Sequence, residues 1–423
     1  MPTSNTAQQS WISYNKDCDF TIYNFPFGIF QIASGEAHAA SAIGDFVIDL
    51  ALLNQLGYFK ALEIPQAVLE QKQLNDFIAL GKSKTTAVRK RLIQLFQVDC
   101  MELQSNKADC QKVLLPRESA KMLLPVRIQN YTDFYSSIEH ATNVGTMFRD
   151  PNNALLPNWR HIPIGYHGRA SSITISGTDF HRPKGQTKAA DAELPQFGPS
   201  KMLDFELEMA FVVGKETQLG ETIPIDKTPD YIFGLLLFND WSARDFQTWE
   251  YVPLGPFLAK NFASTVSPWI VTMEALEPFH VDQPIQEPPV LPYLNSSSSN
   301  NNIDIALEVA ILPENGQEKV VSNSNFKYMY WSMNQQLAHH SSNGCNMQIG
   351  DLYASGTISG PSPDSYGSML ELSWRGTKPI AMPDGSERKF ILDNDTVIMR
   401  GYCEKDGIRV GFGEVKAKVL PAS

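Results

Sequence analysis

The sequence predicts a mostly β, α+β protein in two domains, 1–124 and 125–423. Three observations carry that expectation. From Leu124-Pro125-Val126 onward, short alternating segments are separated by turn signals such as Pro383-Asp384-Gly385 and Lys405-Asp406-Gly407, the pattern of strands joined by tight turns. The 27 Gly and 27 Pro are scattered along the chain, so they punctuate many short elements. At 423 residues the chain also exceeds what one core usually supports.

In the first domain, Phe25-Pro26-Phe27-Gly28-Ile29-Phe30 is turn-rich, and Ala42–Leu50 reads as a hairpin around Gly44-Asp45. A helical stretch is expected over residues 65–98, where Ala87–Phe96 carries apolar residues at helical spacing. No close pairing of histidine with carboxylate is expected in this domain, which reads as structural. In the second domain two helices interrupt the strands, one through about residues 132–143 and one through Tyr328–Leu337. Leu294–Asn302 is polar and low in complexity, expected as a mobile hairpin tip. A final strand is expected over Val415–Leu420.

Composition excludes several function classes. The net charge of −11 and the lack of a basic run argue against a nucleic-acid surface. No apolar run approaches the ~20 residues needed to cross a bilayer. Met1–Asn5 opens no basic and apolar secretion signal. The five cysteines, Cys18, Cys100, Cys110, Cys345 and Cys403, are widely spaced without a Cys-x-x-Cys pair, so a disulfide framework or zinc site is not expected. A cytoplasmic protein fits best.

The chemistry sits in three tracts. Glu206 and Glu208 lie two apart in Leu203–Met209 and share one face of a strand, with Asp204 next in line; Leu203, Phe205, Leu207 and Met209 take the other face. A solvated face would tolerate the acids, but the apolar continuation Ala210-Phe211-Val212-Val213 argues for burial. Asp240 ends the apolar run Gly234–Asn239. Asp133 stands near a predicted helix start with His140 seven residues later, so both could enter one cavity; a capping Asp and an unrelated His would look the same. Buried negative charge needs a cation. An all-oxygen set of Asp133, Glu206, Glu208 and Asp240 suits Ca²⁺ or Mg²⁺. Arg244, Gln247 and Lys260 follow with donors for an anion. His339-His340 reads as a helix C-terminus and Asp393-Asn394-Asp395 as a turn.

Five tracts carry a resemblance: Tyr131–Ser137 with His140–Asn143, Pro163–Ser172, Glu206–Ala210, Asn239–Asp245, and Ala354–Pro361. Together they resemble the fumarylacetoacetase (fumarylacetoacetate hydrolase) family, from about residue 12 to the C-terminus. The resemblance implies a small SH3-like N-terminal β-barrel and a larger mixed β-sandwich or roll. It implies Asp133, Glu206, Glu208 and Asp240 as ligands of Ca²⁺ and/or Mg²⁺, and gives Asp204 no ligand role. His140 would be the general base and Glu371 would orient it, while Arg244, Gln247 and Lys260 would bind the oxyanion. Tyr135, Arg149, Tyr166, Tyr251 and Thr357, with Arg244 and Gln247, would line the pocket of a diketo-acid substrate. A second cation position would follow Lys260, near Ala263 and Ser264. There the family pattern of Gly then Thr is replaced by Ala263-Ser264. A homodimer is implied as well.

These parts imply hydrolysis of the carbon–carbon bond of 4-fumarylacetoacetate to fumarate and acetoacetate, the last step of tyrosine and phenylalanine catabolism. Two other readings stay open at this stage. One keeps the fold but acts on another acylpyruvate-like diketone or decarboxylates a keto acid. The other is a non-catalytic, cation-stabilised binding protein.

Overall fold

The computed structural model describes residues 8–32 and 35–423, so the leading Met1–Asn5 lies outside the described residues. These residues divide into two compact units. The first takes in residues up to Arg127 with Pro268–Phe279 and Tyr402–Gly413; the second holds Ile128–Ser267, His280–Gly401 and Glu414–Ser423.

In the first unit a five-stranded antiparallel sheet runs in the order Leu114–Pro116, Phe46–Asp49, Ala37–Ile43, Gly28–Gln31, Lys121–Leu123. The Gly44-Asp45 hairpin is present, pairing Ile43 with Phe46. The expected helical stretch is broken into Gln66–Leu69, Asn75–Ala79 and Lys82–Phe96, and further helices cover Leu50–Gln55, Met101–Gln104 and Lys107–Val113. Gly81, at φ +86, separates two of these helices because its missing Cβ permits that backbone. The expectation of a mostly β chain therefore becomes mixed α+β. One close pair was not expected in this unit: His38 Nδ1 lies 2.8 Å from Asp49 Oδ2. Strand pairing places them side by side, since Ala40 opposes Asp49 and shares the face of His38. Asp49 also caps the helix at Leu50 by accepting from Leu52 N–H, so the pair joins a strand to a helix start.

The second unit is built on a mixed sheet with strands in the order Gly165–His167, Tyr131–Phe134, Leu352–Ala354, Leu207–Val213, Ile232–Asp240, Ser264–Val266 and Ile173–Ile175. A second sheet orders Lys319–Asn325, Ala306–Leu312, residues 396–401, residues 414–420 and Phe180–His181. The central strands are apolar and buried on both faces, as the continuous run after Glu208 requires.

The predicted helix over 132–143 is replaced by two elements. Tyr131–Phe134 is a strand, parallel to Leu352–Ala354, and the helix covers Ile138–Phe148. Ser137 is the cap, its Oγ accepting from His140 N–H. An aromatic, β-branched tract (Tyr131-Thr132-Asp133-Phe134) favours a strand, and the serine beyond it is the better helix start. That helix rests through Ala141 on a cluster containing Trp159, Tyr330 and Trp331. The second helix begins later than expected, at Met333, where Ser332 and Gln335 form a capping box, and it ends at Ser341 so that His339 and His340 lie in its last turn. The polar tract at 294–302 is not a free tip. Ser297 N–H donates to Asp226, Ser299 Oγ to Asp282, and Asn302 is buried with its amide on the Met329 carbonyl.

Candidate active site

Strand register brings the acidic tracts together. Glu208 opposes Phe238, which shares a face with Asp240. Ala210, on the Glu208 face, opposes Ala354, and Ala354 in turn opposes Asp133. Glu206 joins the same face although the predicted strand Leu203–Phe211 is interrupted before Leu207; its N–H is fixed by the Asn239 side chain and its carbonyl by Asp240 N–H. One sheet face thus gathers Asp133, Glu206, Glu208 and Asp240, all buried, with an oxygen of each within 4.8 Å of the others.

Two cations meet this group. Lys260 Nζ donates to Asp240 Oδ2 at 2.6 Å and lies 2.8 Å from Glu206 Oε2. Arg244 Nη1 lies 2.7 Å from Glu206 Oε1. Negative charge is still in excess, and it is concentrated where the cations do not reach. Asp133 Oδ1 and Glu208 Oε1 are buried without a hydrogen-bond partner. Burial pushes both carboxyls well above the usual range, and the neighbouring charges, Asp240 for Asp133 and Asp133 for Glu208, push them further. Glu206 goes the other way: burial opposes its ionisation, but Lys260, Arg244 and His140 hold it below the usual range. Lys260 itself is raised, because Asp240 and Glu206 outweigh its burial.

A buried, oxygen-only cluster with two partnerless carboxylate oxygens fits a hard divalent cation. Gly356 shapes its edge. Its N–H donates to Glu208 Oε2 at 3.0 Å, its φ is +77, and a Cβ there would stand 2.1 Å from the Phe134 carbonyl oxygen. Only glycine allows that approach.

The raised pair yields a measurable consequence. Without a cation, Asp133 and Glu208 hold protons at pH values where ordinary carboxylates do not, and cation binding displaces them. Calorimetric titration with Ca²⁺ or Mg²⁺ in two buffers of different ionisation enthalpy, repeated across pH, is expected to show proton release, with affinity rising as pH rises. Because the folded values are raised, the cation-free fold also gains stability as pH falls through them toward the ordinary carboxylate range. Equal heats in both buffers would contradict this.

Beside the cluster, His140 is buried at the first turn of its helix. Its Nδ1 lies 2.6 Å from Glu371 Oε2. Glu371 accepts further from Asn143 Nδ2 at 2.9 Å, Ser359 Oγ at 2.9 Å and Ser368 Oγ at 2.8 Å. Burial alone would raise its pKa, but His140 and these donors hold it below the ordinary value. An ionised Glu371 accepts the Nδ1–H hydrogen bond and so leaves Nε2 free to accept a proton. The Tyr135 ring stands edge-on to the imidazole, with centroids 5.2 Å apart.

The remaining candidates differ in burial and in partners. Gln247 Oε1 accepts from Arg244 at 3.2 Å, Tyr166 donates to Asp240 at 3.2 Å, and Ser264 Oγ donates to Asp240 at 2.8 Å. Arg244 Nη2 and Thr357 Oγ1 are buried without partners. Ala263 is buried, whereas Tyr251 is half exposed. Arg149 is exposed and turns its guanidinium onto the Ala154 carbonyl.

Several contributors were not expected. Asn143, Ser359 and Ser368 hold Glu371, and Ser242 Oγ donates to Glu206. The Ser368-x-x-Glu371 spacing was the available signal, since it marks a helix start; Ser368 does cap the helix Met369–Leu372, but it also donates to the Glu371 carboxylate.

Comparison with known proteins covers nearly the whole chain. The fumarylacetoacetase N-terminal model matches residues 23–125 and the fumarylacetoacetate (FAA) hydrolase C-terminal model residues 129–420. A fumarylacetoacetase from Caenorhabditis elegans is 53% identical over 418 residues, covering 98% of this chain and 99% of that one. The Homo sapiens fumarylacetoacetase is 52% identical over 415 residues with the same coverage. Among solved structures, a fumarylacetoacetate hydrolase from psychrophilic Exiguobacterium antarcticum matches with a TM-score of 0.52 at 16% identity, covering 94% of this chain and 99% of that chain. That is a likeness of fold alone. On the family matches and the full-length relatives, the chain belongs to the fumarylacetoacetase family.

Proposed function

We propose that this chain hydrolyses the carbon–carbon bond of 4-fumarylacetoacetate to fumarate and acetoacetate, in tyrosine and phenylalanine catabolism. Family membership supports the reaction. The observation that carries the mechanism is the buried four-carboxylate cluster next to the His140–Glu371 pair.

Asp133, Glu206, Glu208 and Asp240 would hold Ca²⁺ or Mg²⁺. When bound, such an ion supplies Lewis-acid stabilisation of the substrate's diketone oxygens. His140 Nε2 takes a proton from water, and the hydroxide adds to the carbonyl carbon beside the bond to be cleaved. The resulting oxyanion is met by Arg244, Gln247 and Lys260. Lys260, held as an ammonium by Asp240 and Glu206, serves as a donor and not a base. The carbon–carbon bond then breaks, the acyl half leaves as fumarate, and the proton at His140 returns to the enolate carbon to give acetoacetate.

Thr357 and Tyr166, together with Tyr135, Arg149 and Tyr251, would line the substrate pocket. The free Thr357 hydroxyl supports that role. A second cation near Lys260, Ala263 and Ser264 would have to use backbone oxygen, since the Lys260 side chain is itself a cation. The finer assignments follow the same reading. Residues 1–124 act as a structural domain and 125–423 as the catalytic one. The N-terminal sheet is read as SH3-like, supported by edge strands that are consecutive in sequence, joined only by Arg117–Ala120. A homodimer is supported by the exposed apolar run Val252, Leu254 and Phe257. Five free cysteines accord with a cytoplasmic setting, and no helix among the described residues is long and apolar enough to cross a membrane.

Purified protein supplied with Mg²⁺ or Ca²⁺ is expected to bleach the absorbance of fumarylacetoacetate faster than that of other acylpyruvates. Preference for a different diketo acid would move the substrate assignment within the superfamily, and no turnover of any would refute the enzyme reading.

A further inference from the structure

Asp204 is fully buried and lies outside the four-carboxylate cluster. Strand alternation placed it beside Glu206 and Glu208, but the chain breaks between Asp204 and Leu207, and its carboxylate turns to different partners. Oδ2 accepts from Arg244 Nε at 2.8 Å and from Leu370 N–H at 3.0 Å, and Oδ1 accepts from Met369 N–H at 2.6 Å. One side chain thus joins Arg244 to the two residues that precede Glu371.

The Arg244 partners explain what this junction achieves. With Nε on Asp204 and Nη1 on Glu206 and Gln247, the guanidinium plane is fixed at two edges. Nη2 is left as a buried donor without a partner. A guanidinium is planar and rigid, so fixing two edges fixes the direction of the third. At the other end, the Met369 and Leu370 amides anchor the turn that presents Glu371 to His140.

We propose that Asp204 is a positioning residue that sets the oxyanion donor and the base-orienting carboxylate in one frame. The inference rests on the roles given above to Arg244 and Glu371. It places Asp204 outside substrate and cation contact, so its effect should reach kcat and spare binding.

A double-mutant cycle tests this in the full-length, cation-loaded protein. Asp204→Asn keeps the size of the side chain and removes its charge. It is expected to lower kcat about 10–100-fold, the range for partners that orient a reacting group. KM for fumarylacetoacetate and Ca²⁺ affinity by calorimetry should change little. Arg244→Gln is expected to lower kcat by about 10²–10³-fold, and adding Asp204→Asn to it should cost less than the product of the two single losses, because coupled residues are non-additive. Multiplied costs in the double variant, an unchanged kcat in Asp204→Asn, or lost Ca²⁺ affinity would overturn the proposal. If Arg244→Gln is itself neutral, the reading of Arg244 fails instead, and the positioning role falls with it. Asp204→Ser, whose single, shorter-reaching hydroxyl cannot bridge Arg244 and the two amides, is the second variant and should also lower kcat. If neither variant folds, Asp204 is a stability residue and the proposal is overturned.

Discussion

Replacing His140 by alanine is expected to lower kcat by about two to four orders of magnitude, the contribution of a positioned general base. The reason lies in the arrangement around the imidazole. Glu371, itself held by Asn143, Ser359 and Ser368, receives Nδ1 and leaves Nε2 as the free acceptor. His140 does not belong to the four-carboxylate group, so calorimetric Ca²⁺ or Mg²⁺ binding should survive the substitution. Steady-state kinetics alongside calorimetry separate the two effects. An unchanged rate would support a cation-stabilised binding protein instead, and lost cation affinity would move His140 into the ligand set.

Glu208→Gln is expected to act with opposite signs on the cation-free and cation-loaded protein. In the cation-free protein, Glu208 is a buried carboxyl with one partnerless oxygen, raised by burial and by Asp133. Glutamine keeps the shape, can still accept from Gly356 N–H, and removes the cost of taking a proton onto this buried carboxyl on folding. The cation-free melting temperature should therefore rise. Cation affinity should fall by at least ~100-fold, beyond the 10–100-fold typical of groups that only orient a ligand. A cation at 100 times its Kd stabilises a fold by about 2.7 kcal/mol, and the variant should lose that increment. Thermal melts with and without Ca²⁺ read both signs. A lower cation-free melting temperature, or a preserved Ca²⁺ shift, would contradict the ligand assignment.

Much of this centre was legible because strand alternation is a strict rule. The two-residue spacing of Glu206 and Glu208, and the apolar run leading to Asp240, each fix a face once the tract is a strand. Asp133 joins the acidic group by a route its sequence spacing to His140 does not suggest. The helix expected around it is a strand, and it reaches the cluster through parallel pairing with Leu352–Ala354. Pairing between segments more than 200 residues apart leaves no local trace in the sequence. The same limit hid Asp204. Its spacing grouped it with the glutamates, whereas the break before Leu207 and the amides of Met369 and Leu370 give it another role. In the first unit, the His38–Asp49 contact depends on hairpin register, and the Gly81 break depends on one backbone angle; neither shows in apolar periodicity.

The most direct test of a cation-dependent hydrolase is turnover of fumarylacetoacetate by the chelated protein before and after a divalent ion is restored, with both products quantified. Chelation should abolish turnover, and Ca²⁺ or Mg²⁺ should restore it with fumarate and acetoacetate formed in equal amounts. Undiminished turnover in the fully chelated protein, or restored turnover without both products, would contradict the assignment.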